Sequence, residues 1–191
     1  MNHRGPGVVA FPVLETRRLV LREVRVSDAE DIFAFVGDPE FEKWNGGGVD
    51  DVETLAREIG ESARDANGQW KILRWGITLK PGDTVIGGIS LHAWSREHNR
   101  AELGYEVSRP YWRQGIASEA ARAVLRFAFE ALRLHRVEAF PTLDNIASVR
   151  LLEKLGFTRE GTARDVLLME DGLYHSVGQY SMLDGEYHRG R

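Results

Sequence analysis

The run Tyr111-Trp112-Arg113-Gln114-Gly115-Ile116-Ala117-Ser118 lies between a strand-like stretch and one with the apolar spacing of a helix. A strand-to-helix junction leaves several backbone N–H groups without helical acceptors at the positive end of the helix dipole, which is a ready site for a phosphate. Gly115 and Ala117 put little or no side chain between the backbone and a pyrophosphate, and Arg113 offers a charge-assisted contact. The same residues also fit an ordinary turn that uses glycine for its geometry. Two further places could move protons. Asn145 and Ser148 stand three apart on a predicted helix and so share a face, where an amide and a hydroxyl can meet one ligand; the plainer alternative is a helix cap beside a surface hydroxyl. In the predicted strand 101–108, Glu102, Gly104 and Glu106 share one face and Leu103, Tyr105 and Val107 the other. Glu102 and Glu106 are the candidate proton acceptors, unless they only face solvent.

The elements that must hold these residues read as follows. Residues 19–24 alternate as a half-buried strand, and Ser27 and Asp28 are candidate caps for a helix through Phe35 that stops at Gly37 and Pro39. The glycine-rich run Trp44-Asn45-Gly46-Gly47-Gly48 precedes a second helix, capped by Asp50 or Asp51 and running to about Arg64. Residues 70–79 and 85–91 form a hairpin about Pro81-Gly82-Asp83. Ala117, Ala120, Ala121, Val124, Leu125, Ala128 and Leu132 follow the apolar rule of an amphipathic helix. Residues 137–142 read as a strand, 145–155 as a helix stopped by Gly156, and the chain from Phe157 as strands joined at Asp171-Gly172.

A length of 191 residues is enough for one sizeable core, and 42% apolar with 28% charged residues is the balance of a globular chain. The absence of cysteine excludes disulfides, thiolate metal sites and a Cys acyl-enzyme. A net charge of −4 gives no footprint for nucleic acid. No apolar run is long enough for a membrane span or a signal-peptide core, so the expectation is a cytoplasmic protein. His92, His98 and His135 are read as lacking the close acidic or histidine partners that a metal site would want, so no metal is expected.

Four blocks together, Glu102-Leu103-Gly104-Tyr105, the run from Tyr111 to Ala120, Asp144-Asn145-Ile146-Ala147-Ser148 and Leu155-Gly156-Phe157, resemble the GNAT superfamily of N-acetyltransferases and within it the RimJ/RimL branch. That superfamily places Arg or Gln three residues before a glycine and Gly or Ala two residues after it. Here Gly115 and Ala117 match and Trp112 replaces the leading polar residue, as an aromatic residue commonly does in the branch. The resemblance implies an α/β (α+β) fold: a mixed, mostly antiparallel, twisted sheet of about seven strands with helices on both faces. It implies one domain over residues 14–184, with a flexible N-terminus (1–13) and a C-terminal tail (185–191).

By the same resemblance, acetyl-CoA is the co-substrate, its pyrophosphate held by backbone from Arg113, Gln114, Gly115, Ile116 and Ala117 to Ser118. The strand near Val107 would pair with the pantetheine and donate an N–H to the developing oxyanion. Asn145 would bond the pantetheine and Ser148 protonate the departing thiolate. Because an amine attacks only when neutral, Glu102 is the expected proton acceptor, with Glu106 or water alone as alternatives. The acceptor would be a protein N-terminus, such as a ribosomal subunit, or a small-molecule amine, with Trp44 and Tyr174 as acceptor-side candidates. Branch members are often homodimers. A domain that binds acyl-CoA without catalysis is the competing reading, against which Glu102, Asn145 and Ser148 count.

Overall fold

The alternation at residues 19–24 is built into strand β2 (Leu19–Glu23), where Leu19 and Leu21 are fully buried. The computed structural model describes residues 10–38, 44, 49–60, 70–169 and 171–190. Within them one sheet contains β1 (Leu14–Glu15), β2, β3 (Leu73–Leu79), β4 (Val85–Ser95), β5 (Arg100–Val107), β6 (Arg136–Ala139), β7 (Thr158–Leu168) and β8 (Tyr174–Leu183). Their spatial order is β1-β2-β3-β4-β5-β6-β8-β7. Every neighbouring pair is antiparallel except β5 with β6. The mixed, mostly antiparallel sheet matches the expectation, with eight strands rather than about seven; the two-residue β1 is too short to show an alternating pattern.

Five α-helices with both bounds among the described residues accompany the sheet: α1 (Ala29–Val36), α2 (Val52–Gly60), α3 (Ile116–Arg126), α4 (Ile146–Leu155) and α5 (Asp184–Arg189). A parallel pair needs a crossover, and α3 supplies it between β5 and β6. Ile116, Ala120, Ala121, Ala123, Val124 and Leu125 of α3 are all buried. A π-helical turn over Phe127–Ala131 carries Ala128 and Phe129 into the same core. That core includes Trp75, Ile77, Ile89, Leu91 and Leu103 from one face of the sheet, together with Leu152 and Leu155 of α4. On the other face α1 and α2 bury Ala29, Ile32, Phe35 and Leu55 with Val85. Among the described residues no helix is long and apolar enough to cross a membrane.

Several expectations are corrected by packing. Arg22, which the alternation of β2 would turn to solvent, is only 5% exposed. Its guanidinium bonds both carboxylate oxygens of Asp28 at 2.8 and 2.9 Å and Asp83 at 2.5 Å, so the charge is compensated under the helices. Asp28 therefore caps nothing in α1; it accepts the Arg25 backbone N–H at 2.7 Å instead. Asp51, rather than Asp50, caps α2 through a 2.7 Å bond from the Thr54 N–H. The extension of α2 to Arg64 and the glycines 46–48 lie outside the described residues.

The ends of the domain also differ from the sequence reading. Phe11 packs edge-on against Trp70 and Trp75, and the Trp75 indole N–H donates to the Pro12 carbonyl at 2.7 Å, so these two residues of the stretch read as flexible are tied to the core. Residues read as a C-terminal tail form α5, with Tyr187 stacked on Phe129 at 4.8 Å. Both ends are fixed by aromatic burial that no local pattern announces.

Candidate active site

The site begins where the parallel pair ends. β5 and β6 are in register at Arg100 with Arg136, Ala101 with Val137 and Glu102 with Glu138, and the pairing stops there. The Ser108 N–H donates to the Ile86 carbonyl, so by the alternation of an extended strand the backbone groups of Tyr105 and Val107 point away from β4, toward the gap beside β6. Two strands that part in this way open a slot lined by main-chain donors and acceptors. Glu102 stands at its closed end.

At the open end the chain passes from Val107 into the loop before α3. Trp112 ties the two together, its indole N–H donating to the Val107 carbonyl at 2.5 Å. That carbonyl is thus committed, and of the groups expected at Val107 the N–H is the one directed into the gap. Gly115 is the N-cap of α3 with φ of 76°, a left-handed conformation that favours glycine, and Arg113 also has positive φ. A Cβ on Gly115 would meet only the Arg18 guanidinium, 3.6 Å away, so the space over this backbone is open. The Glu119 N–H bonds the Gly115 carbonyl at 3.0 Å, and the N–H groups of Ile116, Ala117 and Ser118 precede that bond at the start of the helix. Ile116 is 2% exposed, so it can serve a ligand only through its backbone. Gln114 is held by the loop itself, its side-chain amide donating to the Pro110 carbonyl at 2.8 Å and its own carbonyl accepting from Arg18 at 3.1 Å.

Ser148 and Tyr105 meet across the slot with their hydroxyl oxygens 2.7 Å apart. Burial pushes the Tyr105 phenol up to about 12, so it keeps its proton and can donate to Ser148. Asn145 does cap α4, its carbonyl oxygen accepting the Ser148 N–H at 3.0 Å, and only its amide NH2 is left to reach outward. The two carboxylates of β5 differ in their surroundings. Glu106 lies over Gly88 and is paired with Arg74 at 3.0 Å, whereas Glu102 lies 3.4 Å from His92 Nε2. The sequence reading of His92 as lacking an acidic partner is therefore wrong: the register of β4 with β5 sets it opposite Glu102.

A fold alone does not establish chemistry, but the Acetyltransferase (GNAT) domain model matches residues 18–158. The chain belongs to the GNAT acetyltransferase family. The uncharacterized N-acetyltransferase YoaA of Bacillus subtilis is 37% identical over 175 residues, covering 91% of this chain and 97% of YoaA. YdaF of the same organism, which bears the provisional name ribosomal N-acetyltransferase, is 36% identical over 104 residues, 54% of this chain and 56% of YdaF. The solved GNAT acetyltransferase of Bacillus anthracis superposes with a TM-score of 0.80 at 26% identity, covering 92% of this chain and all of the other (100%). By family this GNAT chain is an acyl-CoA-dependent N-acetyltransferase, and its relatives agree with the RimJ/RimL branch.

The structure sets Ser148 of α4 against Tyr105 of β5, ties the loop before α3 to Val107 through Trp112, and places Glu102 at the last residue pair of β5 with β6. It adds Tyr105, His92, Arg18 and Arg74, which the sequence analysis passed over. Strand alternation sets Tyr105 on the face opposite Glu102, and contact with α4 gives its hydroxyl a partner in Ser148. Tyr174 is 65% exposed on β8, outside these contacts.

Proposed function

We propose that this GNAT enzyme transfers the acetyl group of acetyl-CoA directly to a primary amine, with no acyl-enzyme. The observation that carries the proposal is the slot between β5 and β6, which opens beside the Gly115 helix start and closes at Glu102. Family members use acetyl-CoA as co-substrate, which when bound supplies an acetyl group activated as a thioester. The residues here fit such a molecule: open backbone at Gly115 for a diphosphate, and main-chain groups along Tyr105 and Val107 for an extended amide-bearing arm.

Each residue then has a task. Backbone from Arg113 to Ser118 binds phosphate, with the Arg113 side chain adding charge. The Val107 N–H is aimed where the carbonyl oxygen gains charge. Asn145 offers its NH2 to the arm, and Ser148, backed by the Tyr105 hydroxyl, gives a proton to the leaving thiolate. Glu102 removes the proton of the incoming ammonium, directly or through water; Glu106 is disfavoured because Arg74 already engages it. The provisional name of YdaF supports a protein N-terminus as acceptor over a small amine.

The test is calorimetric titration with acetyl-CoA, followed by release of free CoA in the presence of an Ala-initiated peptide or spermidine. Wild type is expected to bind and turn over, and Gly115→Glu to lose binding because bulk and negative charge oppose the diphosphate. Unchanged affinity in that variant would remove the cradle from the proposal.

A further inference from the structure

On the face of the sheet that carries Glu102, the register sets Ser90 opposite Gly104 and His92 opposite Glu102. The three polar side chains form a continuous line: Ser90 Oγ lies 3.2 Å from His92 Nδ1, and His92 Nε2 lies 3.4 Å from Glu102. Gly104 makes room for this line, since a Cβ there would stand 3.0 Å from His92 Cε1 and 3.2 Å from Ser90 Oγ. Neighbouring charges are matched among themselves. Arg74 pairs with Glu106, and Arg100 pairs with Glu138 at 2.5 Å, with Arg136 on the other Glu138 oxygen at 2.8 Å. Among the charged groups of β3, β5 and β6 on this face, Glu102 is the one that His92 meets.

We infer that His92 is a positioning and proton-relay residue that acts through Glu102, an inference that rests on Glu102 being the proton acceptor proposed above. With the ring proton on Nδ1 donated to Ser90 Oγ, the Nε2 lone pair faces Glu102. The acceptor ammonium gives one proton to the Glu102 carboxylate, and the amine lone pair is freed for attack. The resulting carboxylic acid passes that proton to His92 Nε2, which restores the carboxylate and leaves an imidazolium. The side chain of His92 is 35% exposed, and its imidazolium returns the proton to water. One proton moves through two acceptors, and no other bond forms or breaks on the protein.

Two measurements test the relay. Nitrogen-15 NMR of the free protein reads the tautomer without any acceptor: neutral His92 is expected to be protonated at Nδ1, and Ser90→Ala to shift it away from that form. A neutral ring protonated at Nε2 in the wild type would overturn the relay. For turnover, the acceptor is whichever of an Ala-initiated peptide and spermidine the wild type acetylates. His92→Gln is expected to lower kcat by roughly 10- to 100-fold, toward the lower end of general acid–base effects. It should leave acetyl-CoA affinity within about twofold and change the shape of the kcat–pH profile. Adding His92→Gln to Glu102→Gln is expected to cost nothing further. An unchanged kcat, or a lower one with an unchanged pH profile, would overturn the relay. Failure of the wild type to release CoA with either probe would count against the transferase reading itself, while the NMR result still decides the ring geometry.

Discussion

Two hydroxyls and two carboxylates stand at the proposed site, and their neighbours sort them. Tyr105 and Ser148 share a 2.7 Å bond in which the phenol, its proton secured by burial, backs the serine. Ser148→Ala is expected to lower kcat by up to about 100-fold while acetyl-CoA affinity stays the same, because a general acid is used only as the thiolate leaves. Tyr105→Phe should cost less, since the serine hydroxyl remains in place; steady-state kinetics with calorimetric binding would separate the two. If Ser148→Ala weakened binding and left kcat intact, the hydroxyl would be a ligand contact and not an acid. Glu106, held by Arg74 over Gly88, and Glu102, opposite His92, show how two acids on one strand face acquire different partners from the strands beside them.

At the scale of elements, the start of α3 depends on the turn between β1 and β2. Glu119 sits in the first turn of α3, where its charge would repel a diphosphate. Burial alone would push its carboxyl up, yet hydrogen bonds from Thr16 and from the Arg18 backbone and side chain hold it below its ordinary value. Arg18 thus neutralises Glu119 at 2.7 Å and tethers the Gln114 carbonyl with the same guanidinium. Arg18→Met is expected to weaken acetyl-CoA binding about tenfold, equivalent to about 1.4 kcal/mol. Adding Glu119→Gln should restore most of that affinity in the same titration.

The tip of the β7–β8 hairpin has its own electrostatic clasp, in which His175 contacts Asp171 at 2.9 Å and Asp144 at 3.2 Å. Asp171 foremost raises His175 above its ordinary value of 6.5, against the opposing effect of burial, and Asp144 adds to the rise. Because the folded value is the higher one, the clasp is fully present below 6.5 and is lost as pH rises through the folded value. Hydrogen exchange at the hairpin tip, corrected for its intrinsic pH dependence, should therefore show protection that falls only above about pH 6.5. His175→Ala should remove that trend; a trend that persists would assign it to other groups.

At the scale of the whole molecule, the buried pair of Arg22 and Asp28, with the exposed Asp83 on the same guanidinium, joins β2, the entry to α1 and the turn before β4. The Asp28 carboxyl is held below its ordinary value although burial opposes this, because Arg22 and the Arg25 N–H donate to it. Arg22→Met would strand Asp28 in a dry site and is expected to destabilise the domain by about 3–5 kcal/mol in urea unfolding. A double variant that also carries Asp28→Asn should recover a large part of the loss. An effect below about 1 kcal/mol would mean that water reaches the site when the pair is broken.

What the sequence determined by itself was local. The apolar spacing of α3, the bare backbone at Gly115, and the i to i+3 relation of Asn145 and Ser148 are short-range matters of backbone geometry. They led to a strand-to-helix phosphate cradle and to the GNAT likeness before any contact was known. Only the tertiary structure decided how residues far apart in the chain meet: Tyr105 with Ser148, His92 with Glu102, Arg22 with Asp83, and the docking of Phe11 and Tyr187. The physical reason lies in registers and crossovers. Which side chains face each other depends on where β4 pairs with β5 and where β5 and β6 separate, and that is fixed by burying one common core, a condition on the whole chain that no short window contains.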